Sequence, residues 1–240
     1  MTSSSVNPST FAIDLDRLTA FLSSLGKVVC LTGAGCSLAS GIPTYRTENG
    51  DWQGRNPINH QDFLKTFETR QRYWARSFMG WPLMSNAQPN PAHRALTDLV
   101  TLGKIKTLIT QNVDSLHEQT GLTTVQHLHG DLAQVTCLVC GASEPRTQLQ
   151  TRLAKLNAHL ELDGEIKPDG DAEISPEIIQ HFKIADCLLC SGTLKPNVVF
   201  FGGQVDPALV QSIYRSIEQA DALWVIGSSL KLFSGYRFCR

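Results

Sequence analysis

Cys137, Cys140, Cys187 and Cys190 form two Cys-x-x-Cys pairs. A pair at that spacing presents two thiolates from one tight turn, and two pairs supply the four soft ligands of a tetrahedral structural zinc site. With all four positions filled by protein, no place remains for a substrate or an activated water, so one zinc ion is expected to hold the fold and take no part in a reaction. The other three cysteines, Cys30, Cys36 and Cys239, fall outside this spacing and are not expected to be ligands; Cys30 reads as a core residue. Metal-spaced cysteines fit a reducing compartment better than a disulfide framework does. The Ser/Thr-rich N-terminal stretch matches neither a secretory nor a mitochondrial leader, so the cytoplasm is the expected location, with the mitochondrial matrix as the alternative for a eukaryotic source.

A second group of residues has the chemistry of a nucleotide site. Thr110-Gln111-Asn112-Val113-Asp114 follows a β-branched run at 105–109, and amides and a carboxylate at the C-terminal end of a strand sit where doubly wound sheets bind ligands. They suit a ribose or a nicotinamide; a helix N-cap at Asn112 or Asp114 accounts equally well for one of them. Gln126-His127-Leu128-His129-Gly130 puts both histidines on one face of a short strand. His129, at the strand end, can serve as a general base near neutral pH, although a single histidine is more often structural. Gly33-x-Gly35 suits close approach of backbone to a pyrophosphate, but Leu38 stands where G-x-G-x-x-G has its third glycine. No acidic residue ends a second strand at the spacing that holds an adenosine ribose, which disfavours an ordinary dehydrogenase.

The elements that must position these groups are legible from periodicity. Short apolar runs at 27–31, 105–109, 125–128, 198–201 and 222–226 read as buried strands. Helices are expected at 11–25, with Leu15, Leu18, Phe21, Leu22 and Leu25 turned to the core, and at 61–78, 92–102, 147–160 and 207–219; a turn and helix follow the second strand over 110–120. The second strand comes too late after the first for a simple βαβ crossover, so an insertion lies between them, and the cysteine-bearing stretch with its turn-rich acidic segment at 163–173 is a second. The chain is 42% apolar and 18% charged over 240 residues, enough for a full core, and its net charge of -1 excludes a large field directed at nucleic acid or an anionic membrane. No basic cluster surrounds the cysteines, and no apolar run approaches the ~20 residues of a membrane span.

Taken in order, several motifs resemble the sirtuins. These are Gly33-Ala34-Gly35-Cys36-Ser37-Leu38-Ala39-Ser40-Gly41-Ile42-Pro43, Thr110-Gln111-Asn112-Val113-Asp114, His129-Gly130, the two cysteine pairs, Lys195-Pro196 with Val198-Val199-Phe200-Phe201-Gly202, and Gly227-Ser228-Ser229. Arg70-Gln71-Arg72-Tyr73-Trp74-Ala75-Arg76, Gly80-Trp81-Pro82 and Gln88-Pro89-Asn90-Pro91-Ala92-His93 resemble the class II branch, which includes the mitochondrial lipoamidase and ADP-ribosyltransferase type. The resemblance implies an α/β fold: a Rossmann-type parallel sheet (residues 1–43, 92–135 and 195–240) with a small domain built from a cofactor loop and helical module (44–91) and a zinc-binding module (136–194). It implies NAD as co-substrate in the cleft between them, acylated-lysine proteins as substrates, and free lysine, nicotinamide and O-acyl-ADP-ribose as products. In that chemistry the acyl oxygen attacks the anomeric carbon of the nicotinamide ribose, and a histidine deprotonates the ribose hydroxyl that completes the transfer.

Carried onto this sequence, the resemblance makes His129 the base and places Gln111, Asn112 and Asp114 at the nicotinamide and ribose. Gly33, Ala34 and Gly35 would turn backbone N–H groups to the phosphates at a helix N-terminus, with Cys36, Ser37, Ile42, Pro43 and Tyr45 beside them. Arg46 would close over the cofactor and Gly227, Ser228 and Ser229 would hold it from the far side. Val198, Val199, Phe200, Phe201 and Gly202 would pair with the substrate backbone, and Tyr73 and Arg76, three apart on a helix, would project into the acyl channel, Arg76 toward the carboxylate of a dicarboxylic acyl chain. Thr44 stands where the family has Asp after Ile-Pro, which removes a negative charge near the reactive end of NAD. The chain ends at Arg240 within the helix expected after Gly227-Ser228-Ser229, so a later strand and its Asn-x-Gly contacts to the adenosine ribose are expected to be missing. Protein mono-ADP-ribosyltransfer from the same cleft, or an inactive NAD-binding module, are the alternatives.

Overall fold

The computed structural model describes residues 8–44, 57–161, 164–166 and 172–240. The order of elements is α1 (Pro8–Ser24), β1 (Val28–Thr32), a 3-10 helix (Ala34–Ser40), α2 (His60–Lys65), α3 (Phe67–Asn86), α4 (Pro91–Thr101), β2 (Ile105–Thr110), β3 (Val125–His127), β4 (Gly130–Cys137), β5 (Ser143–Pro145), α5 (Arg146–Leu156), β6 (Gly164–Ile166), β7 (Ala172–Ile174), α6 (Pro176–His181), β8 (Leu194–Val198), α7 (Pro207–Glu218), β9 (Ala222–Ile226) and α8 (Phe233–Tyr236).

Four strands make a parallel sheet in the order β3-β2-β1-β9. All five residues of β1 are buried, as the continuous apolar run requires of a central strand covered on both faces. Their alternation selects two cores: Val29 and Leu31 pack with Ile109 and with Val210 and Ile213 of α7, while Cys30 packs with Leu108 and with Leu96 of α4. Both covering helices begin on designed caps. Asn90 accepts from Ala92 N–H and precedes Pro91, and Asp206 accepts from Ala208 N–H and precedes Pro207. The Asp221 carboxylate receives N–H bonds from Gly26 (2.8 Å) and Lys27 (2.7 Å), so one side chain ties the start of β9 to the start of β1.

The inserted segments share a separate core. Trp74 and Ala75 of α3, Leu149 and Leu153 of α5, Val135 of β4, Ile174 of β7, Phe182 and Leu194 are all buried together. Above them lies an antiparallel sheet, β5-β4-β8. Arg146 is buried here between the Trp74 and Trp81 rings and donates to the Ser77 carbonyl; burial lowers its pKa to about 10.

Several elements differ from what the sequence suggests. The leading helix forms, but Leu15, Leu18 and Phe21 are exposed, because α4 and α7 already cover the faces of the sheet. The strand expected at 198–201 lies earlier, at Leu194–Val198, and belongs to the antiparallel sheet; Pro196 lacks an N–H and is tolerated because β8 is an edge strand among the described residues. The helix expected over 110–120 reduces to a single 3-10 turn, Glu118–Thr120. Its start is diverted by Asp114, which accepts from Leu116 N–H, and by Ser115 in the left-handed region (φ 57). At the acidic segment, β6 pairs antiparallel with β7.

Gly130 joins the two halves. It has φ 82, and a Cβ there would overlap the Asn197 carbonyl of β8. Gly130→Ala is therefore expected to lower the unfolding free energy by about 1–3 kcal/mol or more, read as a lower urea midpoint at unchanged slope; an unchanged midpoint would contradict this packing.

Candidate active site and metal centre

The C-terminal ends of β1, β2, β3 and β9 converge on one cleft of about 1180 Å³, closed on its far side by α3 and by the segment after β8. This is where an open parallel sheet places its ligand. The structure brings Gly33, Ala34, Gly35, Ser37, Ile42, Pro43, Gln111, Asn112, Asp114, His129, Gly227, Ser228 and Ser229 to this cleft, together with Tyr73, Arg76 and Val198, Val199, Phe200, Phe201 and Gly202. Cys36 is buried behind it and does not line it. Tyr45 and Arg46 lie outside the described residues.

His129 is fixed at both nitrogens. Nδ1 lies 2.8 Å from the Gln111 carbonyl oxygen, which can only accept, so Nδ1 carries the ring proton and Nε2 carries the lone pair. Nε2 receives the Ser234 hydroxyl at 2.8 Å. Burial is the larger influence on the imidazole and lowers its pKa below 6.5, against the raising effect of the Gln111 carbonyl. His129 is thus neutral at pH 7 with its basic nitrogen toward the cleft. Ser234, in α8, was invisible to motif reasoning: it is the single serine after Ser229, and no spacing links it to His129.

Polar groups on the opposite wall hold one another. Asn112 Nδ2 donates to Ser37 Oγ (2.9 Å) and to the Gly33 carbonyl (3.1 Å), Ser37 Oγ donates to Asp114 Oδ2 (2.6 Å), and Gln111 Nε2 donates to Ser228 Oγ (2.8 Å). The two glycines of the turn serve a different purpose from the one expected. Gly33 and Gly35 donate their N–H groups to the carbonyls of Ile226 and Gly227, not toward the cleft. A Cβ on Gly35 would stand 2.9 Å from the Gly227 carbonyl oxygen. The glycines let β9 approach the turn, and the element that follows is a 3-10 helix, not an α-helix. Ala34, at its first position, keeps an N–H without an intrahelical acceptor.

The residues fit a dinucleotide. Apart from Asp114 and His129, the lining is hydroxyl, amide and apolar, with Arg76, Lys231 and Arg237 as cations, and the buried Nε of Arg237 has no protein partner. An unpaired buried guanidinium N–H lining a cleft suits an anionic group such as a diphosphate.

The four cysteines form the metal centre. Cys137 Sγ is 3.5 Å from Cys190 Sγ and Cys140 Sγ is 3.7 Å from Cys187 Sγ, and the four sulfurs lie within 4.8 Å of one another. A tetrahedron with zinc–sulfur bonds of ~2.3 Å has edges of ~3.8 Å, so the set fits one zinc ion. The two turns repeat one geometry: Val139 N–H and Leu189 N–H point at Cys137 Sγ and Cys187 Sγ at 3.4 Å, and Gly141 and Ser191 N–H return to the Cys137 and Cys187 carbonyls. N–H groups of Cys140 and Val139 favour the Cys137 thiolate, the form that a metal needs.

Residues 33–234 match the Sir2 family, and the chain belongs to it. It is 45% identical over 226 residues to proteins of Bos taurus and Homo sapiens named NAD-dependent protein lipoamidase sirtuin-4, mitochondrial, covering 92% of this chain and 72% of each relative. It is 45% identical over 219 residues to NAD-dependent protein deacetylase 2 of Bradyrhizobium diazoefficiens, covering 91% of this chain and 80% of that one. Among solved structures, a Sir2 homologue–NAD complex superposes with a TM-score of 0.65 at 33% identity, covering 90% of this chain and 73% of that one. A Sir2–p53 peptide–NAD+ complex gives 0.72 at 26% identity, with coverage of 93% and 80%.

Proposed function

We propose that this protein is an NAD-dependent protein lysine deacylase. The observation that carries the reading is His129, a cleft-lining neutral imidazole whose proton is held on Nδ1 by the Gln111 carbonyl, leaving Nε2 as the basic nitrogen, met in this structure by the Ser234 hydroxyl. NAD supplies the ribose hydroxyl and the electrophilic anomeric carbon to which the acyl group is passed. His129 Nε2 accepts the hydroxyl proton, Gln111, Asn112 and Ser37 orient the sugar side of the cleft, and Ala34 N–H and Arg237 face anionic groups. β8 is an edge strand among the described residues, and the backbone continuing from it lines the cleft as far as Phe201, whose carbonyl already accepts from His60 N–H; the stretch before Phe201 supports addition of an acyl-lysine peptide as a further strand.

The test is mass spectrometry of an acyl-lysine peptide panel with and without NAD, beside His129→Tyr. NAD-dependent loss of the acyl group with O-acyl-ADP-ribose formed, absent in the variant, supports deacylation. ADP-ribose left covalently on an acceptor protein with no acyl loss would instead support the transferase and sink this reading.

The acyl channel is supported by Tyr73, whose ring packs 5.1 Å from Phe200 and 5.5 Å from Phe63, with Arg76 one turn on in α3. Arg76→Ala is expected to lower kcat/KM for glutaryl-lysine by about 10-fold or more relative to acetyl-lysine, the size of a lost charge-assisted bond. Equal loss on both peptides would remove Arg76 from acyl selection. A cytoplasmic or matrix location is supported by seven unbridged cysteines, Cys30 and Cys36 among them buried. Fractionation of the native cell checks it, and recovery from an oxidising compartment would overturn it.

A further inference from the structure

Behind the cofactor turn lies a second cluster of metal-ligand side chains, independent of the four-cysteine centre and of any turnover. Cys36 comes from the 3-10 helix, His93 from the first turn of α4, and His117 from the segment after β2. One ligand atom of each lies within 4.8 Å of the other two, the same span that encloses the four cysteine sulfurs. The imidazole rings of His93 and His117 are 4.8 Å apart at their centroids. All three residues are buried: Cys36 is 5% exposed, His93 0% and His117 1%.

Two of these side chains end in nitrogens with nothing to bind. His93 Nε2 and His117 Nδ1 are buried without a hydrogen-bond partner. The other nitrogen of each ring is anchored: His117 Nε2 lies 3.0 Å from Thr32 Oγ1, and His93 Nδ1 3.3 Å from Asn90 N–H. His117 is held as ligating histidines commonly are, its Nε2 N–H donating to Thr32 Oγ1 and its Nδ1 lone pair bare; His93 Nδ1 accepts from Asn90 N–H, so its bare Nε2 carries the ring proton, and both buried nitrogens are left unmet at a cost to the fold. Burial lowers the pKa of both rings, that of His117 to about 4, so each is a neutral ligand at pH 7. Burial, and after it the charge of Asp114, raise the Cys36 thiol to about 11, so the ion itself must displace that proton; the same Asp114 charge supplies local compensation for a cation.

We propose that Cys36, His93 and His117 form a second site for a divalent transition-metal ion of borderline softness, zinc foremost. One thiolate with two imidazoles is a ligand set that such ions favour over magnesium or calcium. Binding expels the Cys36 thiol proton to solvent and shifts the His93 ring proton from Nε2 to Nδ1, so one proton is released per ion. The shift gives up the Asn90 N–H bond, which at 3.3 Å is already longer than a strong one. Sequence spacing conceals this site, since its three ligands come from three elements and none forms a pair with another cysteine.

The test uses the full chain with its four-cysteine centre loaded with zinc, in a Cys239→Ser background so that the exposed thiol does not contribute, titrated with Co2+. One further equivalent of Co2+ is expected to bind with zinc retained, giving visible d–d bands and a near-ultraviolet thiolate-to-cobalt band. Cys36→Ser should abolish the thiolate band, and His117→Gln should weaken Co2+ binding by about 10-fold or more. Absence of the thiolate band before any substitution overturns the proposal, as does a band of full strength in both variants, which would place the ion elsewhere. If near-ultraviolet circular dichroism shows one variant misfolded, the other decides.

Discussion

Replacing His129 with asparagine is expected to lower NAD-dependent deacylation about 100- to 10,000-fold, the usual contribution of a positioned general base. Asparagine can still donate an N–H toward the Gln111 carbonyl but offers no basic nitrogen, so the loss isolates proton transfer from positioning. The same geometry fixes the sign of the pH dependence. Burial depresses the imidazole pKa below 6.5, and the neutral ring is the active form, so kcat/KM should be flat through neutrality and fall as pH drops through that lowered value. An acidic limb above pH 6.5, or a His129→Asn enzyme within a few fold of wild type, would remove His129 from the base role.

Withdrawing the structural metal should have the largest effect on stability. Zinc held by four thiolates contributes about 10–16 kcal/mol of apparent binding energy in small domains, as much as the whole stability of an ordinary domain, about 5–15 kcal/mol. Cys137 and Cys187 are themselves part of the buried core that contains Trp74 and Phe182. A strong chelator, or Cys137→Ser, should therefore lower Tm steeply and erase the near-ultraviolet signal of Trp74 and Trp81, while the parallel sheet, whose cores are formed by other residues, keeps more of its far-ultraviolet signal. Quantitative metal loss with an unchanged melt would show that the cysteine cluster bears no part of the fold.

The features most legible in the sequence were those set by local spacing. The cysteine pairs, the β-branched run of β1 and the apolar stripe of α7 each carry their signal within a few residues. What misled was what depends on partners far along the chain. The periodicity of α1 describes an apolar face but cannot say that α4 and α7 already occupy the sheet. Gly33 and Gly35 read as a phosphate cradle because the motif looks the same when glycine is needed for Gly227 to come close. The Ser234 hydroxyl on His129, and the meeting of Cys36 with His93 and His117, arise only from tertiary approach, and no spacing rule reaches them.

The position of β1 has a consequence for synthesis. It pairs with β2 on one side and β9 on the other, and Lys27 bonds to Asp221, 194 residues further on. As the polypeptide leaves the ribosome at ~5–20 residues per second, β1 emerges well ahead of β9 and remains without that second neighbour while all the residues between them are made. The small core of Trp74, Leu149 and Phe182 draws on segments translated in between, so it can consolidate first. For that interval Val28–Thr32 is an apolar strand with an open edge, the kind of segment that chaperones hold and that aggregates when they do not.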